Sequence, residues 1–257
     1  MLFAQMGSFI QMGKSQYETS PTLKKATNMH TKIQHTFYYL FVVILSWLHI
    51  SNGHAQTAPS VVEAINYDDL LRAAHFGDLA KVRQRIASGD SLETTDSAGR
   101  TAMHIATFGS HEEIVIELAK AGADMNALEG QAYDVVTIAA VANDYEMLDT
   151  LLKNGASAAN ITSPYDGTAL IAAAHLGHHQ VVKRLIDAGA PLDHINNLNW
   201  TALIEAVVLG DGGPDHIETI KHLLQAGANK DIPDKNGQTP LDLARAYGFD
   251  DIIRLLE

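Results

Sequence analysis

Two markers recur along this chain and keep step with each other. The first is a threonine or aspartate that opens an apolar, alanine-rich run: Asp68 in "YDDLLRAA", Thr101 in "GRTAMHIA", Asp134 in "YDVVTIAA", Thr168 in "DGTALIAA", Thr201 in "NWTALIEA" and Thr239 in "GQTPLDLA". Its intervals are 33, 33, 34, 33 and 38 residues. The second is a glycine that closes another apolar run, at Gly89, Gly122, Gly155, Gly189 and Gly227, with intervals of 33, 33, 34 and 38. A period of this length marks stacked supersecondary units, none of which buries its apolar face alone.

Each unit reads as a pair of helices. The threonine or aspartate has a side-chain oxygen able to cap the free N–H groups of the first helix. Apolar residues follow at helical spacing. Alanine stands five residues after each cap, at Ala73, Ala106, Ala139, Ala173, Ala206 and Ala244, which lets neighbouring helices approach closely. Gly77, Asn143, Gly177, Gly210 and Gly248 are of the types that end a helix in the left-handed region. Before the cap, a sharp turn falls on Gly99, Asp166, Asn199 and Gly237, which tolerate positive φ. Ala132 breaks this rule, and the sequence predicts that the third unit moves its turn to Gly130.

These residues resemble the ankyrin repeat family. The likeness is carried by "GRTAMHIA", "GHHQVVKRLIDAGA" from Gly177 and "DKNGQTPLDLA" from Asp234, and it spans about residues 64–257. It implies an all-α solenoid of about six helix-turn-helix repeats with projecting hairpin loops. It also implies a non-catalytic module that binds another protein on its concave face.

Relative to the cap, the family's partner contacts fall four, three and one residues before it and seven and eight after it. Carried over, these positions hold Tyr67, Arg100, Tyr133 and Trp200, Tyr165 and Leu198, and Phe76, Phe108, Leu176 and Tyr247. Seven of the nine aromatics after residue 55 stand there, and only Tyr145 and Phe249 do not. Aromatic rings are the side chains that most often dominate protein–protein binding. An aromatic-lined concave surface is therefore expected, with Trp200 and Tyr165 as its leading members.

The 38-residue interval has a local cause. In register, Gly210 matches Gly177 and His216 matches His178, so Asp211–Asp215, "DGGPD", lies inside the turn between two helices. A phosphate cradle is disfavoured there by the two aspartates and by the lack of a following Lys or Ser/Thr. A lengthened turn is expected, with Pro214 starting the second helix and an aspartate capping it.

Other constellations carry less. His75, His175, His178 and His179 provide an alternative reading as a metal- or small-ligand-binding envelope protein. The repeat itself accounts for most of them, because His178 shares a turn position with His111 and His216. His104 belongs to the helix-opening signature and is expected to hydrogen-bond neighbouring turns. "GSHEE" at Gly109 does not converge on one atom as a triad must. No catalytic residue, metal site or cofactor is assigned.

The chain before the repeats has a different composition. "FYYLFVVILSWLHI", residues 37–50, is shorter than the ~20 apolar residues of a membrane span. It fits the apolar region of a signal peptide over residues 1–55, with cleavage expected after Ala55 and translation starting at Met29. The other possibility is a retained membrane anchor. Residues 56–63 would then form a short linker, and the protein would be periplasmic in a Gram-negative bacterium or secreted, with no stable membrane insertion after cleavage.

There is no cysteine, so stability rests on packing rather than disulfides. The chain has 18 Lys and Arg against 30 Asp and Glu; residues 1–55 hold four and one of these, leaving 14 against 29, a net charge of −15. Such a field repels nucleic acid and anionic lipid and suits a neutral or basic protein partner.

Overall fold

The computed structural model describes residues 56–257. The expected signal segment and its cleavage point at Ala55 lie outside the described residues. Thirteen helices follow in order among those described: α1 Val61–Ile65, α2 Asp69–His75, α3 Leu79–Ala87, α4 Ala102–Phe108, α5 Glu112–Lys120, α6 Val135–Val141, α7 Tyr145–Lys153, α8 Ala169–His175, α9 His179–Asp187, α10 Ala202–Val208, α11 Pro214–Gln225, α12 Pro240–Tyr247 and α13 Asp250–Leu256. The even-numbered helices α2 to α12 pack in one row and the odd-numbered α3 to α13 in a second, so the six expected pairs are present. No described helix is long and apolar enough to cross a membrane.

The caps explain the helix starts. Asp68, Asp134, Thr168, Thr201 and Thr239 each accept from the backbone N–H three residues on, at 2.8, 2.8, 3.3, 3.3 and 3.3 Å. Thr101 differs: His104 Nδ1 accepts its backbone N–H at 3.2 Å, while Nε2 donates to Ala127 O at 3.1 Å. Burial of this ring lowers its pKa, outweighing the hydrogen bonds and nearby carboxylates that raise it, which favours the neutral form that this bonding uses. The six alanines five residues after the caps are all buried, and the second row stacks Val82, Leu118, Leu151, Leu185 and Leu223 in the interior. Each fully buried leucine contributes about 2 kcal/mol of transfer free energy.

Three local expectations need correction. Gly210 does not adopt positive φ; the left-handed residue of that turn is Gly212 (φ +70°), inside the insertion. The N-cap of α11 is Gly213, with Pro214 at its first position and no aspartate capping it; Asp211 instead accepts from Gly213 N at 2.8 Å. Ala132 keeps the turn it was expected to lose, at φ +63°. Gly130 is required for another reason: its N–H donates to Ala98 O at 2.8 Å, and a Cβ on it would lie 2.6 Å from that oxygen.

Ala132 is thus an L-residue held where a Cβ costs about 1–2 kcal/mol. Ala132→Gly is expected to raise stability by about 0.5–1 kcal/mol, since added freedom of the unfolded chain offsets part of the relief. The urea midpoint should rise with an unchanged slope; a fall would show that the alanine methyl packs usefully.

The expected linker over 56–63 is partly helix. Ser60 and Glu63 form a reciprocal capping box at the start of α1, and Thr57 O accepts from Arg100 Nη1 at 2.7 Å. The N-terminal stretch is thereby tied to the second repeat.

Candidate functional site

The hairpin tips between repeats are built by one recurring device. Five residues before each cap stands a side chain with an oxygen: Asp96, Glu129, Ser163, Asn196 and Asp234. Each accepts from the backbone N–H groups two and four residues on. Such local bonds hold a tight turn without help from the core. The repeat pattern alone did not single them out, because residue type varies from unit to unit; the shared signal is an acceptor oxygen at fixed register.

Consecutive tips are then joined backbone to backbone. Gly130 N donates to Ala98 O at 2.8 Å, Ser163 N to Ala132 O at 2.7 Å and Asn197 N to Tyr165 O at 2.9 Å. The result is a continuous edge of tips beside the row of first helices.

The ten expected contact residues divide along this edge. Phe76 is 55% exposed, and Tyr165, Leu176 and Leu198 are also exposed. Tyr67, Trp200 and Tyr247 are half-buried and rest against the core, and Phe108 is half-buried. Tyr165 and Leu198 occupy the tips of adjacent hairpins, and Leu176 follows the C-terminal end of α8.

Two of the ten are inside. Arg100 is only 2% exposed. Its Nε donates to Asp96 Oδ2, its Nη2 to Glu63 Oε1 and its Nη1 to Thr57 O, each at 2.7 Å. Tyr67 completes the group by donating to Asp96 Oδ2 at 2.7 Å. Burial alone would raise the Asp96 carboxyl; the hydrogen bonds from Arg100 and Tyr67 outweigh it and hold the group below its ordinary value. Burial, and then the bond to Asp96, pushes the Tyr67 phenol up. Arg100 therefore joins the N-terminal stretch to the first tip and is unavailable to a partner. Tyr133 is also buried, and burial raises its pKa. Its tip is flanked on both sides by the backbone bonds through Gly130 and Ala132.

The four histidines of the alternative reading are not brought together. His75 lies edge-on to Phe76, with ring centroids 4.8 Å apart. His178 Nδ1 donates to Ala140 O at 3.0 Å, and His179 stacks on His222 with centroids 6.1 Å apart. His175 faces Glu205. Among the described residues no three His, Cys, Asp or Glu side chains are placed to hold a metal ion. The turn histidines staple repeats instead: His111 Nε2 lies 3.3 Å from His75 O, and His216 Nε2 3.0 Å from His175 O.

The family model described as ankyrin repeats (three copies) matches residues 70–162 and 136–234. The chain belongs to the ankyrin repeat family. It is 34% identical over 189 residues to the ankyrin repeat protein YahD of Escherichia coli (strain K12), covering 73% of this chain and 94% of that protein. The crystal structure of an ankyrin repeat domain (ABAYE2397) from Acinetobacter baumannii AYE aligns with a TM-score of 0.69 at 37% identity, covering 73% of this chain and 95% of that one. That of the ankyrin repeat protein EF0377 aligns with a TM-score of 0.69 at 32% identity, covering 74% and 98%. Ankyrin repeats generally mediate protein–protein interaction and are generally non-catalytic.

Proposed function

We propose that this ankyrin protein holds a polypeptide partner across its hairpin tips and first-helix row, as a scaffold, inhibitor or protective partner. The observation that carries the reading is the exposure of Phe76, Tyr165, Leu176 and Leu198 at the family's contact register. Apolar side chains on rigid turns lose little entropy on binding, which favours their use as anchors. The surplus of acidic over basic groups favours a neutral or basic partner. Export to the periplasm is part of the same proposal and rests on the apolar run at residues 37–50 with Gly53 and Ala55 beyond it; N-terminal sequencing of the protein recovered from its native host should start at Gln56.

The test compares wild type with Tyr165→Ala/Leu198→Ala in crosslinking and pull-down from the native envelope fraction. Both residues are exposed, so folding is expected to be retained. Recovery of the crosslinked partner should fall about tenfold or more. Equal recovery by the two proteins would remove the tips from the binding surface.

A further inference from the structure

Four residues after the cap, first helices place Ile105, Ile138 and Leu243 in the interior of the second, third and sixth repeats. The fifth repeat places Glu205 there, only 4% exposed. A buried carboxylate is costly unless its oxygens are occupied. Oε1 accepts from Asn196 Nδ2 at 3.0 Å. Oε2 is buried without a hydrogen-bond partner. Its nearest cation-capable neighbour among the described residues is His175 Nδ1, at 3.4 Å, on a side chain 46% exposed.

Asn196 and Glu205 form a matched pair. Asp96, Glu129 and Asp234 are carboxylates at the register of Asn196. A carboxylate at 196 would face the Glu205 carboxylate across 3 Å, whereas the amide holds the tip through Oδ1 and donates to Glu205 through Nδ2. One oxygen of Glu205 is thus spoken for by the same residue that shapes the Leu198–Trp200 tip. The other lies against the half-exposed His175 ring. The preceding repeat has the small Ala172 at the equivalent position, only partly covered.

We propose that Glu205 Oε2 receives the ammonium or guanidinium group of a Lys or Arg side chain of the bound polypeptide, whose apolar neighbours lie on Tyr165, Leu176 and Leu198. The proposal rests on the reading of this face as a polypeptide-binding surface and names the residue type it selects. Charge complementarity points to this occupant: the free atom is an anionic acceptor in a low-dielectric setting, where a cationic donor gains most. Its neighbour His175 is 46% exposed, and the proposal requires this ring to turn outward to admit the cation.

The experiment pans the full chain and its Glu205→Gln variant against one random dodecapeptide phage library. Gln retains an oxygen for Asn196, so the tip is kept, and puts an uncharged N–H donor in place of the Oε2 acceptor. Wild-type binders are expected to carry Lys or Arg beside an apolar residue and to bind Glu205→Gln about 30-fold or more weaker. Replacing that basic residue by norleucine in a synthetic binder should weaken binding to wild type and leave the variant's weaker binding unchanged. If the protein variant is unstable, a failure of norleucine to weaken binding to wild type still overturns the proposal. Binders without basic residues, or a norleucine loss equal in both proteins, overturn the proposal. If such binders are still weakened by Tyr165→Ala/Leu198→Ala, the binding face stands and only the Glu205 role falls; binders indifferent to that change, or no binders at all, count against both.

Discussion

Arg100→Met is expected to lower stability by about 3–5 kcal/mol, because it leaves the buried Asp96 carboxylate without its cation. Arg100 and the Asp96 side chain are each 2% exposed, so solvent cannot replace the lost partner. Asp96 cannot simply relax away, since its other oxygen holds Ala98 N and Arg100 N, each at 2.9 Å. The same change releases Thr57 O and Glu63 from their contacts, while Glu63, itself 40% exposed, is easily resolvated. Urea unfolding should show the loss, and hydrogen exchange at the amides of Ala64 and Asn66 should accelerate more than at Leu151. Arg100→Lys should recover only part of the loss, because one ammonium cannot span three acceptors in the plane of a guanidinium. A loss below about 1 kcal/mol in Arg100→Met would mean the network contributes no more than a surface pair.

Gly99→Ala is expected to cost about 2–4 kcal/mol, against about 1–2 kcal/mol for Gly237→Ala. The two glycines share nearly the same backbone, φ +77° and +78°, at the same position of their hairpins. A Cβ at Gly237 meets nothing within 4 Å, whereas at Gly99 it lies 2.8 Å from Gly130 N, a backbone atom already bonded to Ala98 O. The difference between the variants therefore measures how tightly consecutive tips are pressed together. Matching urea midpoints would show that the tips yield freely and that the edge they form is soft. A soft edge would weaken the case for the tips as rigid anchors.

Much of the fold was legible because it is local. Thr168 and Thr201 cap the helices they precede through an oxygen three residues from its donor, and a cap that close needs no tertiary knowledge. The alanine row and the closing glycines repeat with the period of the units, so row assignment and the six helix pairs follow from register, whereas α1 lies outside the repeat and does not. Conformational outliers were less legible: Ala132 holds its left-handed turn because Ser163 N and Gly130 N bond the tip from both sides, at 2.7 Å to Ala132 O and 2.8 Å to Ala98 O. Propensity lost to two neighbouring backbones there.

The candidate site was half legible. Register put Arg100, Tyr133 and Trp200 at equivalent positions, yet Arg100 and Tyr133 are buried and Trp200 is only half so. Arg100 is covered by residues 57–67, up to 43 positions away in the chain, which no repeat pattern announces. Glu205 was not singled out by the repeat, since Arg72 also puts a charged residue at its register, and its meaning depends on which of its oxygens Asn196 leaves unbonded.

The amino-acid order by itself thus determined the period, the caps, the helix pairs and the family, because each depends on contacts a few residues apart and is repeated six times over. Only the tertiary structure decided which members of one register face solvent and which are enclosed. Exposure is a property of the neighbour packed alongside, and in a solenoid that neighbour comes from another unit, or at its N-terminal end from the chain that leads into it.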